Sequence, residues 1–245
     1  MTHTLLGKFI FPLLVFQIGT AKAQSVDENA ALLWFDQKIG KENAGVFNGG
    51  VYINTYRLNN DTHPYFHENN FSQGWVEYDA QRWSAVQLKY DTHRNELILQ
   101  SEGNYSYMAI SLSSEKTSAF SIYDRNFVNL KLRHNNLPEF INSVYYEEVS
   151  IVPNVMLYAS HHKSSREKIQ DGRVYDTFSV KNTYALLKNG EFYPVNSKRE
   201  IVHLFPDRKR VINDFYQLHR KKAKSNPQEF LFELLRFIHK SENNI

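Results

Sequence analysis

The chain has 245 residues, 42% of them hydrophobic and 14% aromatic, with a formal net charge of +3 and no cysteine. The missing cysteine excludes disulfides, thiolate nucleophiles and Cys-ligated zinc, and the length allows a core without covalent staples. No nucleic acid is expected as a partner, because the N-terminal stretch reads as an export signal, which takes the protein away from it.

Residues 1–23 read as a secretory signal peptide. Lys8 is the positive start, residues 9–18 are a short apolar run, and Ala21-Lys22-Ala23 is an A-x-A cleavage site. The run is half of the roughly 20 residues that a spanning helix needs, and Pro12, Gln17 and Gly19 weaken it further. The expectation is an exported protein, periplasmic, envelope-associated or extracellular, and not integral to the membrane after cleavage. Residues 24–46 are an N-terminal lead-in.

Residues 47–195 carry strand composition, with short alternating runs rich in Tyr, Phe, Val and Ile. Strands are expected at 49–56, 75–78, 83–90, 96–100, 105–112, 119–123, 127–132, 143–151 and 155–160. The polar links at Asp79-Ala80 and around Asp91 are too short for parallel crossovers, so antiparallel pairing follows. Residues 163–173 read as a charged, exposed connection. Strands resume at 175–180, 184–188 and 191–195, and Asn189-Gly190 supplies the positive φ of a type I′ hairpin turn.

After Val195 the period becomes helical. Ser197 and Glu200 fit a capping box for a short helix stopping near Pro206. A second helix is expected over 207–223, with Val211, Phe215 and Leu218 on one stripe. Asn226 and Pro227 then cap and open an apolar third helix. The segment 196–245 is basic. From Lys181 onward the chain holds 13 Lys and Arg against 7 Asp and Glu, an asymmetry that suits either a solvated face or contact with anionic groups.

His63 and His67 have zinc-like i, i+4 spacing, but Pro64 disfavours the helix this needs. A rigid loop with buried aromatics is the expected role. His161-His162 sits at a strand end beside the charged connection. Asp79, Asp91 and Glu96 are carboxylates in or near turns, where Asp serves local hydrogen bonding. There is no GxSxG, P-loop, GxGxxG or EF-hand motif. No cofactor, metal site or catalytic residue is assigned.

Gly74-Trp75-Val76-x-Tyr78-Asp79, Val86-x-Leu88-x-Tyr90-Asp91 and Glu96-Leu97-Ile98 resemble a family of uncharacterised exported envelope proteins of Gram-negative bacteria. Lys188-Asn189-Gly190-x-Phe192-Tyr193-x-Val195-x-Ser197-Lys198 and Leu204-Phe205-Pro206 resemble its C-terminal part. The likeness implies a periplasmic or envelope location and brings no activity. This chain has Ala80 where the resemblance implies a turn glycine.

The expected fold is mainly β (α+β): an antiparallel meander, open barrel or sandwich, with a C-terminal segment of two to three helices. The expected function is that of an exported non-enzymatic envelope protein binding a partner protein or envelope ligand. Trp75, Tyr78, Trp83 and Tyr90 are the candidate ligand-binding aromatics. Arg208, Lys209, Arg210, Arg220, Lys221 and Lys222 are the candidate contacts to anionic groups. The alternatives are a periplasmic carrier of a lipid or other apolar molecule, held in a curved sheet, and a secreted hydrolase using His63, His67, Asp79 or Asp91. An outer-membrane barrel is disfavoured, because its strands need about 9–11 residues.

Overall fold

A computed structural model describes residues 45–47, 49–59, 62–101 and 107–240. The signal-peptide reading and most of the lead-in fall outside the described residues. Eleven strands form one antiparallel sheet in the order β1-β5-β4-β3-β2-β6-β7-β8-β9-β12-β13. They are β1 (Gly50–Val51), β2 (Ser72–Tyr78), β3 (Gln81–Asp91), β4 (Glu96–Gln100), β5 (Ala109–Leu112), β6 (Thr117–Ile122), β7 (Arg125–Asn129), β8 (Tyr145–Val152), β9 (Val155–Ser160), β12 (Thr183–Lys188) and β13 (Glu191–Pro194). A separate two-stranded ribbon pairs β10 (Lys163–Gln170) with β11 (Arg173–Val180). The fold is therefore mostly antiparallel β with C-terminal helices, in an open sheet rather than a closed barrel.

Connectivity forces this sheet to roll. β5 and β6 are four strand positions apart, about 19 Å in a flat sheet. Five chain steps from Leu112 to Thr117 span at most about 18 Å when extended. The link is instead folded, with the Lys116 and Thr117 amides both donating to the Ser113 carbonyl. The two strands can meet this restraint only if β2–β5 curl toward β6. The concave face is correspondingly filled by one core cluster drawn from β2 through β8. Phe120 and Phe127 stack there at 4.8 Å, with Tyr90 edge-on to both and Tyr145 edge-on to Phe120 and Tyr90.

The helices cover the same face further along. They are α2 (Lys198–Leu204), α3 (Lys209–Leu218), α4 (Arg220–Ser225) and α5 (Pro227–Lys240), following a single-turn α1 (Leu130–Arg133) after β7. Phe230, Leu231, Leu234, Leu235 and Ile238 of α5 pack on Leu157, Ala159 and Leu186 in a second core. A third cluster lies on the opposite side of the sheet, from Ala119, Val128, Tyr146, Tyr158 and Ala185, with Leu130 and Ile141 over them. Among the described residues no helix is long and apolar enough to cross a membrane.

The expected caps form. Ser197 Oγ accepts from the Glu200 amide while Glu200 Oε2 accepts from the Ser197 amide, and Asn226 Oδ1 accepts from the Glu229 amide at 3.3 Å. Asn189 and Gly190 both have positive φ, at 53° and 82°, in the β12–β13 turn.

Four segments differ from the sequence reading. Residues 49–56 pair only at β1, then run extended toward the ribbon, where Arg57 and Asp176 exchange hydrogen bonds. The strand expected at 127–132 ends at Asn129, which caps α1 by accepting from the Lys131 amide. The charged connection is a strand, β10, turned by Asp171-Gly172. The helix expected over 207–223 breaks at His219 into α3 and α4, after a 3-10 turn at Pro206–Arg208.

Candidate functional site: a histidine cleft over a buried carboxylate

β8 alternates cleanly at its start. Tyr145, Glu147, Val149 and Ile151 share the inner register, and Tyr146 and Glu148 the outer. One inner position is thus a carboxylate between two apolar cores, and a buried charge needs partners. Glu147, with its side chain only 2% exposed, has two. Arg125 Nη1 donates to Oε1 at 2.7 Å, and His161 Nε2 donates to Oε2 at 2.7 Å. Pairing places Phe127 opposite Glu147 and Glu147 opposite Ala159, so β7 and the end of β9 bring the two partners in from either side. Burial alone would raise the Glu147 carboxyl; the His161 hydrogen bond and charge, with Gln228 and Arg125, outweigh it and hold the group below the usual carboxylate value.

The Phe66 and Phe127 rings fix the other edges of His161, at centroid distances of 4.8 and 5.8 Å. Its Nδ1 has no hydrogen-bond partner among the described residues. His161 lies on a cleft of about 220 Å³. His67, His162, Lys163, Thr92 and Asn182 supply the other polar lining, and Phe66 and Val180 the apolar part. Four chain segments therefore converge: the 62–67 loop, the turn after β3, the β9–β10 link and the β11–β12 link.

Lys163 anchors this convergence. Its Nζ donates to the His63 and Tyr65 carbonyls at 3.0 and 2.6 Å. Burial pulls its ammonium down to about 8, against the opposing charge of Asp91. Thr92 Oγ1 donates to the Pro64 carbonyl at 2.7 Å, clamping the same loop.

Sequence-singled residues fall as follows. Asp91 is fully buried and serves its turn: Oδ1 accepts from the His93 and Arg94 amides at 2.9 Å, and Oδ2 from the Tyr56 hydroxyl at 2.7 Å. Asp79 lies at the other end of β3, exposed and paired with Lys116 at 3.3 Å, so the two cannot act as a carboxylate pair. Glu96 accepts from the Ser111 hydroxyl and faces Arg94. His63 and His67 do not converge. His63 stacks on Tyr65 with Nδ1 buried and unbonded, and burial with the Lys163 charge lowers its pKa. His67 sits edge-on to Tyr123 instead. Tyr65 is 1% exposed, as the rigid-loop reading expects. Among the described residues no three His, Asp or Glu side chains form a metal-ion cage.

The candidate aromatic patch is split by the sheet. Tyr78, Trp83 and Tyr90 belong to the concave core and are 5%, 8% and 0% exposed, leaving no open face for a ligand. Trp75 packs on the opposite face, under the Arg82 guanidinium at 4.0 Å. The reason is strand alternation: Val76 and Tyr78 point one way and Trp75 the other.

The basic residues also divide. Arg208 ends the 3-10 turn, Lys209 and Arg210 open α3, and Arg220 and Lys221 open α4. Lys209, Arg210, Arg220 and Lys221 are exposed. Lys222 is spent internally on Glu233 at 2.6 Å and Glu229 at 3.9 Å, so it is a tie between α4 and α5.

Sequence reasoning reached His161 and His162 but missed Glu147 and Arg125. The available signal was an acidic residue on the apolar register of β8. No protein-family model, no curated protein and no solved structure matches the chain.

Proposed function

We propose that this is an exported, non-enzymatic envelope protein that binds a small ligand, or a polar group of a partner, in the histidine cleft. One observation carries the reading: a buried carboxylate fixes His161 in the lining of a cleft where His67, His162, Lys163 and Asn182 also converge. Fixed polar groups around a modest concavity are the usual make-up of a ligand site. Binding is favoured over hydrolysis because the neighbouring reactive groups are committed. The Thr92 hydroxyl is bonded to Pro64, and Asp91 to its turn and to Tyr56. Export rests on the A-x-A site at residues 21–23 and on the resemblance to envelope proteins. The carrier alternative draws no support from the concave face, which its own aromatic rings fill.

The test is native mass spectrometry of protein purified gently from its own cells. Wild type should carry an added mass that His161→Ala/His162→Ala, folded by circular dichroism, does not. An added mass retained by the double variant would place binding elsewhere.

A further inference from the structure

We propose that the cleft recognises an oxyanion, a carboxylate or phosphate-like group, and captures it when His161 carries its second proton. This deepens the preceding reading and rests on the cleft being a ligand site.

The argument begins with the tautomer. Glu147 is an acceptor, so His161 Nε2 must carry a hydrogen to make its 2.7 Å bond. In the neutral ring the remaining proton choice is thereby removed, and Nδ1 is a lone pair. A lone pair repels an anionic oxygen. Adding one proton turns Nδ1 into an N–H donor and adds a positive charge, without moving the ring. The Glu147 bond is the brace that makes the change at Nδ1 alone.

Charge around the ring favours an anion. Glu147 is already balanced by Arg125 across the same carboxylate. In the turn after β3, Asp91 is enclosed by its turn amides and Tyr56, and its charge acts on Lys163. Arg94 from that turn is directed at Glu96 and Thr55, and His93 at the Lys163 carbonyl. The 62–67 loop contributes His63 and His67, followed by exposed Glu68. The β11–β12 link contributes Lys181, whose amide holds the His162 carbonyl. On the covering elements, α5 offers neutral Gln228 and β12 offers Tyr184, held protonated by burial. No carboxylate is among the residues lining the cleft, so no lining side chain repels a bound anion.

Because capture requires a proton on the His161 ring, affinity should fall several-fold between pH 5.5 and pH 7.5. The mature full-length protein would be titrated with sodium sulfate and, separately, sodium acetate, following histidine side-chain resonances by NMR at both pH values. Sulfate stands for a tetrahedral oxyanion and acetate for a carboxylate; both keep their charge across this range. A saturable shift of His161, several-fold tighter at pH 5.5 than at pH 7.5, supports the proposal, and the tighter anion identifies the class. Equal affinity at the two pH values overturns the proton requirement. Silence toward both anions, with a co-purified neutral or cationic molecule shifting the same resonances, overturns the oxyanion inference and leaves the ligand site standing. An empty cleft in every arm removes both.

Discussion

Ala80 occupies a position that asks for glycine. The β2–β3 loop is two residues, Asp79 and Ala80, at φ 53° and 61°. That is the left-handed conformation of a type I′ turn, where a Cβ costs about 1–2 kcal/mol. Ala80→Gly should therefore stabilise the protein by about 0.5–1 kcal/mol after the added chain entropy is deducted. Gly190→Ala should do the reverse by about 1 kcal/mol, because its φ is 82° while a Cβ there would touch nothing. Urea midpoints of the two variants, moving in opposite directions, check both statements. Glu147 is the second decisive residue. Glu147→Ala leaves His161 buried without its partner and should cost about 3–5 kcal/mol. Since folding lowers the carboxyl pKa, the unfolded chain binds the proton more readily. Its stabilising contribution is complete above the ordinary value of 4.5 and is lost as pH falls through the lower folded value. Acid titration of stability should show this loss in wild type and a flatter profile in Glu147→Gln.

At the scale of elements, the ribbon and the tail helices separate what the sequence reveals from what it hides. The β2–β3–β4 meander, the Asn-Gly hairpin and the Ser197 cap were legible because each rests on a local signal. β10 was not, because its residues are almost all exposed and Lys-Ser-Ser-Arg-Glu-Lys has no apolar alternation. Only Asp171-Gly172 marked it as half of a hairpin. The ribbon is an excursion: β9 and β12 pair directly, with Ser160 opposite Thr183. Removing residues 168–175 and joining Glu167 to Asp176 through Asn-Gly keeps the Arg57 contacts and the Lys163 anchor. Cooperative unfolding should persist, with stability changed by no more than about 1 kcal/mol, since the removed tip is exposed apart from half-buried Val174 and Tyr175. Loss of cooperative folding would mean the ribbon tip supports the sheet. In the tail, Lys209 and Arg210 sit in the first turn of α3, where the helix dipole disfavours cations.

For the whole molecule, the charge asymmetry bears on the proposed envelope association. Two of the predicted anionic contacts are not available on equal terms: Lys222 is tied to α5, and Arg208 has contacts of its own. The exposed cations at Lys209 and Arg210 remain directed at solvent. Arg208→Glu/Lys209→Glu/Arg210→Glu should weaken sedimentation with the envelope fraction several-fold at low salt, less so at high salt; unchanged sedimentation would dismiss the tail as an anchor. The global shape was only partly legible. Alternation predicted antiparallel strands and by itself divides Trp75 from Tyr78, so a single aromatic patch was inconsistent with it, whereas the roll of the sheet left no local signal. It also could not bring Arg125, Glu147 and His161 together, since that depends on β7–β8–β9 register rather than on any local pattern.

The two ends of the rolled sheet bear on self-association. An open sheet presents unpaired backbone groups along both outer strands, a template for another copy. Among the described residues, one outer strand is β1, only two residues long, after which the chain turns away toward the ribbon. The other is β13, four residues ending in Pro194, whose nitrogen has no hydrogen to offer. Neither border offers a long run of free backbone groups, so the eleven-stranded sheet limits edge-to-edge pairing at both ends without closing into a barrel.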